Sequence, residues 1–146
     1  MESKTIAEIK IGDRASLTRI ITKDHVEQFA LITGDYNPIH VDPDFAKKSI
    51  FKKQVAHGAL SLGHISAVLG TLLPGLGTIA LEISTKFLKP VYFGDTITSE
   101  VEVVNIYEKR NMVKLKLAWT NQNEELVCKG ETLVLAPTEK IITSQK

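Results

Sequence analysis

The run His57-Gly58-Ala59-Leu60-Ser61-Leu62-Gly63-His64-Ile65-Ser66-Ala67-Val68-Leu69-Gly70-Thr71-Leu72-Leu73 decides the fold. It is apolar nearly all round, and Pro74-Gly75 stops it. A helix of that kind is enclosed by protein on most sides. Its apolar window, Ala59 to Leu73, is shorter than the roughly 20 residues a bilayer needs, and it carries His64 and two serines. Gly63 and Gly70 each weaken a helix by roughly 1 kcal/mol relative to alanine. Close packing on a sheet or a neighbouring helix would account for them.

Downstream of this helix the pattern changes to period two. Thr78 to Leu88, Asp95 to Tyr107, Met112 to Thr120 and Glu125 to Leu135 are expected as strands. Lys89-Pro90 to Gly94-Asp95, Glu108-Lys109-Arg110-Asn111 and Asn121-Gln122-Asn123 separate them as turn signals. Consecutive antiparallel strands joined by short turns are the expectation. Long curved strands around one buried helix make an α+β arrangement. The polar tail from Pro137 is expected to fray.

Upstream, residues 1–12 look like a lead-in strand or extended arm, and Gly12-Asp13 marks a turn. Ala15 to Ile21 reads as a short strand. Thr22 can cap a helix whose first turn holds Asp24, with Val26, Phe29, Ala30 and Ile32 at helical spacing. Gly34 fits the position that ends it. Asn37-Pro38 forbids continuation, so Asp35 to Pro38 is expected as a tight loop and Ile39 to Val41 as extended. Asp42-Pro43-Asp44 starts another short helix, with Phe45 and Ala46 inward and Lys47 and Lys48 outward. Phe51 to Gln54 is a basic connection.

The totals fit one domain over residues 1–146, with 43% hydrophobic and 24% charged residues. A net charge of +1 gives no overall argument for nucleic acid or an anionic membrane. The first ten residues hold no apolar targeting core, so a cytoplasmic protein is expected. The single cysteine, Cys128, has no partner within the chain, and a buried, inert thiol is expected.

Asp35 and His40 stand out chemically. Either Asp35 caps a turn and His40 is a satisfied histidine, or the pair does acid–base work in a partly dry pocket. Gly34 and Pro38 stiffen the loop that holds them. At Val55-Ala56-His57-Gly58 a plain tight turn into a helix is one alternative. The other is a seat for a developing oxyanion, with glycine admitting a ligand to the free N–H groups. Ser66 either returns its hydroxyl to a carbonyl one turn back or points into the site. His57 and His64 could join Asp35 or His40 on a metal. No His-x3-His pair or cysteine cluster supports that, and no metal is expected. No Gly-x-Ser-x-Gly elbow, phosphate loop or dinucleotide fingerprint is present. Lys47, Lys48, Lys52 and Lys53, with Lys89, form either a solvated basic face or a site that attracts phosphates or an acidic carrier.

Phe29-Ala-x-Ile-Thr-Gly-Asp35-Tyr-Asn-Pro-Ile-His40-Val-Asp-Pro-Asp-Phe-Ala, Val55-Ala-His-Gly58 and Phe87-Leu-Lys-Pro-Val-Tyr-Phe-Gly-Asp95 together resemble the MaoC-like family. Within it the likeness is to the (R)-specific enoyl-CoA hydratases of the PhaJ type, over residues 7 to 135. The resemblance implies a hot-dog fold, an antiparallel sheet wrapped around a long central helix. It implies a homodimer or dimer of dimers with sheets joined edge to edge and sites at the interface. It implies (R)-specific hydration of trans-2-enoyl-CoA, with coenzyme A entering only as part of the substrate and no separate cofactor. Supply of polyhydroxyalkanoate precursors follows as a role. Carried over by position, Asp35 and His40 match the catalytic dyad, and Gly58 the N–H that receives the thioester carbonyl. Ser66 matches the serine that supports the dyad carboxylate, with Asn37 and His57 beside the pair. Ala59, Leu62 and Leu69 fall at the acyl pocket, and Ala59 departs from the larger residue common there. The same chemistry on an acyl-ACP substrate, as a 3-hydroxyacyl-ACP dehydratase, is the first rival. A thioesterase and a non-catalytic acyl-CoA-binding subunit are the others.

Overall fold

The computed structural model of the chain describes residues 1–144. Five strands form one antiparallel sheet: β1 (Arg14–Ile20), β2 (Ile79–Phe87), β3 (Thr96–Tyr107), β4 (Met112–Thr120) and β5 (Leu126–Leu135). Four helices accompany it: α1 (Lys23–Thr33), α2 (Pro38–Val41), α3 (Pro43–Lys48) and α4 (Gly58–Thr71). The sheet is wrapped on α4, the hot-dog arrangement, and the α+β class stands.

The strand order is β1-β3-β4-β5-β2. β3, β4 and β5 are consecutive neighbours, as their turn signals imply. β2 is not the neighbour of β3, which corrects the expectation of four strands in succession. It pairs with β5, Phe87 opposite Cys128 and Ser84 opposite Glu131. The segment after β2 carries the chain past the start of α4 to β3, beside the far edge strand β1. Ala56 N–H donates to Val91 O (2.8 Å), and Gly94 N–H to Ile21 O (2.7 Å). Those bonds replace a hairpin.

The inner face of the sheet supplies the core. Ile97, Val101 and Val103 of β3, and Val113, Leu115, Leu117 and Trp119 of β4, are fully buried. Ile65, Val68 and Leu69 of α4 pack with them. Each such side chain contributes about 1.5–3 kcal/mol of burial. Trp119 is also a fastener: its Nε1–H donates to the Ser61 carbonyl of α4 at 2.9 Å. Cys128 lies in this core, and burial pushes its thiol up to about 11. On the outer face, register places Arg14, Glu102, Lys116 and Glu131 on successive strands, a row of alternating charge.

Other local expectations change. Ile39 to Val41 is helical, not extended. Pro38 takes the first helical position of α2, where its fixed φ is already suitable, and the Asn37 side chain accepts from Ile39 N–H (3.4 Å). The proline that ends one helix thus begins the next. In α3, Ala46 is buried but Phe45 faces outward, 47% exposed. The N-terminal arm forms only isolated bridges rather than a strand. The tail does not fray over its described part: Thr143 N–H donates to Met1 O, Ile141 N–H to Ser3 Oγ, and Lys140 pairs with Glu8. Residues 145 and 146 of that tail lie outside the described residues.

Nor is α4 enclosed on most sides. Gly58, Ala59, Gly63 and Ser66 are exposed along one face of it. The adjoining strand β2 is uncovered along most of its length, with Ile79, Leu81, Ile83 and Phe87 all exposed.

Candidate active site

The Gly34–Asp42 stretch is built by short-range bonds. Gly34 ends α1 in the left-handed region (φ 79°), its N–H on Ala30 O at 2.8 Å. Asp35 follows at once. Its Oδ1 accepts from Asn37 N–H (3.1 Å), so it does cap a turn. That use leaves Oδ2, and the side chain is about half exposed. The turn-capping alternative therefore holds for one oxygen of Asp35, and the other oxygen makes no hydrogen bond among the described residues.

His40 lies in α2 and is buried. Its Nδ1 is 2.7 Å from the Val55 carbonyl. A carbonyl only accepts, so Nδ1 carries the proton and Nε2 holds a free lone pair. Burial holds the His40 pKa below the ordinary imidazole value. The ring is thereby kept neutral, with a basic nitrogen unused. Gln54 steadies the same residue, its Nε2–H donating to His40 O at 2.8 Å.

His57 joins the two. Its Nε2 donates to the Asp35 backbone carbonyl (2.9 Å), and its ring lies 3.9 Å, centre to centre, from that of His40. Phe29 of α1 closes the other side at 4.7 Å. His57 Nδ1 is buried without a hydrogen-bond partner among the described residues. Ligand atoms of Asp35, His40 and His57 lie within 4.8 Å of one another, a spacing a metal could bridge. One nitrogen of each ring is already spent on a carbonyl, and the remaining nitrogen of His57 is enclosed. This donor set fits acid–base work better than a metal. His64 is elsewhere, beside Arg19 and His25 on another concavity, so His57 and His64 do not share a site.

The first turn of α4 completes the arrangement. His57 is its N-cap, and no side chain caps the turn. Gly58 N–H and Ala59 N–H have no hydrogen-bond acceptor among the described residues. Uncapped N–H groups at a helix start carry partial positive charge and favour an oxyanion. A cleft of about 590 Å³ opens here, lined by His40, His57, Gly58, Ala59, Leu62 and Phe87 among others. A second concavity of about 520 Å³ lies on the outer sheet face, away from this chemistry, and its Lys114 is paired with Glu131 at 3.2 Å.

The remaining expected residues divide. Asn37 caps α2 and shapes the loop. Ser66 is exposed on the open face of α4, and its hydroxyl makes neither of the two expected bonds among the described residues. Leu69 is in the core and not in the cleft wall. Lys47, Lys48 and Lys52 are exposed, and Lys53 lies 4.2 Å from the Tyr92 ring centre. Lys89 reaches the cleft rim and pairs with Glu125. Two contributors carried no signal of their own in the sequence. The Val55 carbonyl sets the His40 tautomer, and Phe29 looked like a core position of α1.

Residues 6–124 match the model of the MaoC-like domain family. The chain is 42% identical over 130 residues to an (R)-specific enoyl-CoA hydratase of Rhodospirillum rubrum, covering 89% of this chain and 90% of that one. Its structure is similar to the unliganded R-hydratase PhaJ1 of Pseudomonas aeruginosa, with a TM-score of 0.92, 36% identity, and 99% and 94% of the two chains covered. It is also similar to the (R)-hydratase of Aeromonas caviae involved in PHA biosynthesis, with a TM-score of 0.86, 36% identity, and 88% and 98% covered.

Proposed function

The chain belongs to the MaoC-like domain family, and we propose that it catalyses the reversible, (R)-specific hydration of trans-2-enoyl-CoA to (R)-3-hydroxyacyl-CoA. The observation that carries this is the free Nε2 of a neutral, buried His40 beside the unused oxygen of Asp35. Water held between them attacks C3 of the enoyl thioester. His40 Nε2 takes the water proton as the C3–O bond forms. The C2=C3 electrons move toward C2 and the carbonyl oxygen, which rests on the Gly58 N–H. Asp35 orients the water and offsets the imidazolium charge. With His40 neutral and its Nδ1 proton held by the Val55 carbonyl, Nε2 brings no proton of its own. The proton delivered to C2 is therefore the one taken from water, on the same face, and His40 returns to neutral. Dehydration runs the same steps in reverse. Losing one oxyanion donor in such a site costs about 3–4 kcal/mol. No cofactor is needed beyond the coenzyme A of the substrate.

Purified protein should consume the enoyl absorbance of crotonyl-CoA, and chiral analysis of the product should give the (R)-alcohol. His40→Ala should abolish this. Full activity in that variant would sink the assignment. The basic residues Lys47, Lys48, Lys52 and Lys53 favour one variation, an acyl-ACP substrate in place of acyl-CoA. Matched crotonyl-CoA and crotonyl-ACP assays separate the two.

The working unit is proposed as a homodimer joined through β2. The free edge of β2, with Ile79, Leu81 and Ile83 exposed along it beside the open face of α4, supports it. Light scattering reads the assembly. Among the described residues no helix is long and apolar enough to cross a membrane. Action in the cytoplasm, supplying precursors for polyhydroxyalkanoate, is the role proposed.

A further inference from the structure

Phe87, the last residue of β2, lies across the seat assigned to the thioester. A Cβ built on Gly58 would stand 2.7 Å from Phe87 Cε1 and 2.9 Å from Cζ. Carbon atoms do not approach so closely, so a side chain at position 58 would have to displace the ring. The ring is nevertheless no part of the core. It is 58% exposed and forms part of the cleft wall. Its backbone is fixed: Phe87 is paired with Cys128, and the next N–H, of Leu88, donates to Val127 O at 2.9 Å. A rigid main chain thus presents an aromatic face, largely open to the cleft, directly over the first residue of α4.

We propose that Phe87 is the specificity-determining residue that screens the carbon next to the thioester carbonyl and rejects acyl chains branched there. The proposal rests on Gly58 N–H receiving that carbonyl. With the oxygen on Gly58, C2 is one bond from the carbonyl carbon and would come within reach of the ring. The ring already fills the space that a methyl on Gly58 would need. A methyl on C2 meets the same obstacle, whereas a flat, unbranched unit lies along the aromatic face. A single methylene in an apolar pocket changes discrimination by roughly 10- to 200-fold. The size limit therefore falls on the branch point rather than on chain length, which the rest of the cleft governs.

The test is calorimetric titration with butyryl-CoA and isobutyryl-CoA. These are isomers, and neither has a double bond to hydrate, so affinity is read without turnover. The wild-type protein should bind butyryl-CoA about tenfold tighter or more. Phe87→Ala should narrow that ratio to within about twofold, with Phe87→Leu between. Gly58→Ala should weaken butyryl-CoA binding in the wild-type background, and much less in Phe87→Ala. Because Phe87 is exposed, both Phe87 variants should melt like the wild type, which a thermal scan checks. Equal affinity for the two isomers in the wild type would overturn the proposal. So would an unchanged ratio in Phe87→Ala, or equal weakening by Gly58→Ala in both backgrounds. Failure to hydrate crotonyl-CoA alongside a clear isomer preference would remove the hydratase assignment and leave the screening role standing.

Discussion

The Gly34–Asp42 loop and the α4–β4 core are built by opposite means. The core is held by long-range apolar contact, Ile65 and Val68 against Leu115, Leu117 and Trp119. The loop is held by side chains bonding to main chain two or three residues away, Asp35 to Asn37 N–H and Asp42 to Asp44 N–H. The core is apolar but for a few enclosed groups such as the Ser99 hydroxyl, which no ligand can reach. The loop keeps one carboxylate oxygen and one imidazole nitrogen in reserve. The comparison teaches that chemistry and stability are assigned to separate parts of this chain. His57 and the Val55 carbonyl are where they meet.

Asp35→Asn is the sharpest attempt to break that division. The amide oxygen still accepts from Asn37 N–H, and the site is half exposed. Turnover of crotonyl-CoA should fall by about 10²- to 10⁴-fold. The melting temperature should stay close to that of the wild type. A large loss of stability here would show that the loop is structural after all.

Ile65→Ala is the converse. It opens a cavity against a fully buried face of α4 and should cost about 2–5 kcal/mol in urea unfolding. Turnover per folded molecule should hardly change, because Ile65 touches no reacting group. A comparable loss of turnover at full folding would couple the two regions.

The pH profile probes the meeting point. His40 must be neutral to accept a proton, and burial sets its pKa below the ordinary value, about 6.5. Activity should therefore persist below pH 6.5 and fall only as pH drops through the lowered value. The sign for stability follows the same way. In the unfolded chain His40 takes up a proton near pH 6.5, and in the folded protein it resists. Its contribution is fully present above that value and is lost as pH falls toward the folded pKa. His64 is shifted down by burial as well, and its contribution has the same sign. A rate that already collapses at pH 7 would contradict the neutral-imidazole assignment.

Asn37→Ala should have the smallest effect. It removes the cap of a one-turn helix, a loss of about 0.5–2 kcal/mol. Because α2 carries His40, kcat should fall several-fold while KM stays near the wild-type value. An unchanged kcat would mean that the Val55 carbonyl and Gln54 suffice to position the imidazole.

Most of the elements were legible in the residues themselves. The period-two runs mark four strands to within a residue or two, and Thr22 and Gly34 bracket α1. The helix at 57–73 was apparent from composition, yet its surroundings were not. β2 and β4 alternate alike in sequence, and β4 is buried on one face whereas β2 lies largely open. Periodicity reports that a strand has an apolar face but not whether anything covers it. The position of β2 beside β5 was likewise hidden, because a long connection carries no record of which edge it reaches. At the site, residue type and spacing made Asp35, His40 and Gly58 candidates beside plainer readings, and only the family resemblance gave them roles. Ser66 and Leu69 were assigned to the site by position, and the fold places one on the open face of α4 and the other in the core.

By itself the sequence determined what is local: the caps, the turns at Gly34 and Pro38, the apolar helix and the alternating strands. These depend on backbone preferences and on residues within a few positions of one another. Only the tertiary structure decided what distant residues do to each other. It set the His40 tautomer through Val55 O, placed His57 between Asp35 and Phe29, and laid the Phe87 ring over Gly58. A proton's location and a cleft's width are set by atoms a few ångströms away in space. In this chain those atoms lie up to 29 positions away along it, as Phe87 does from Gly58.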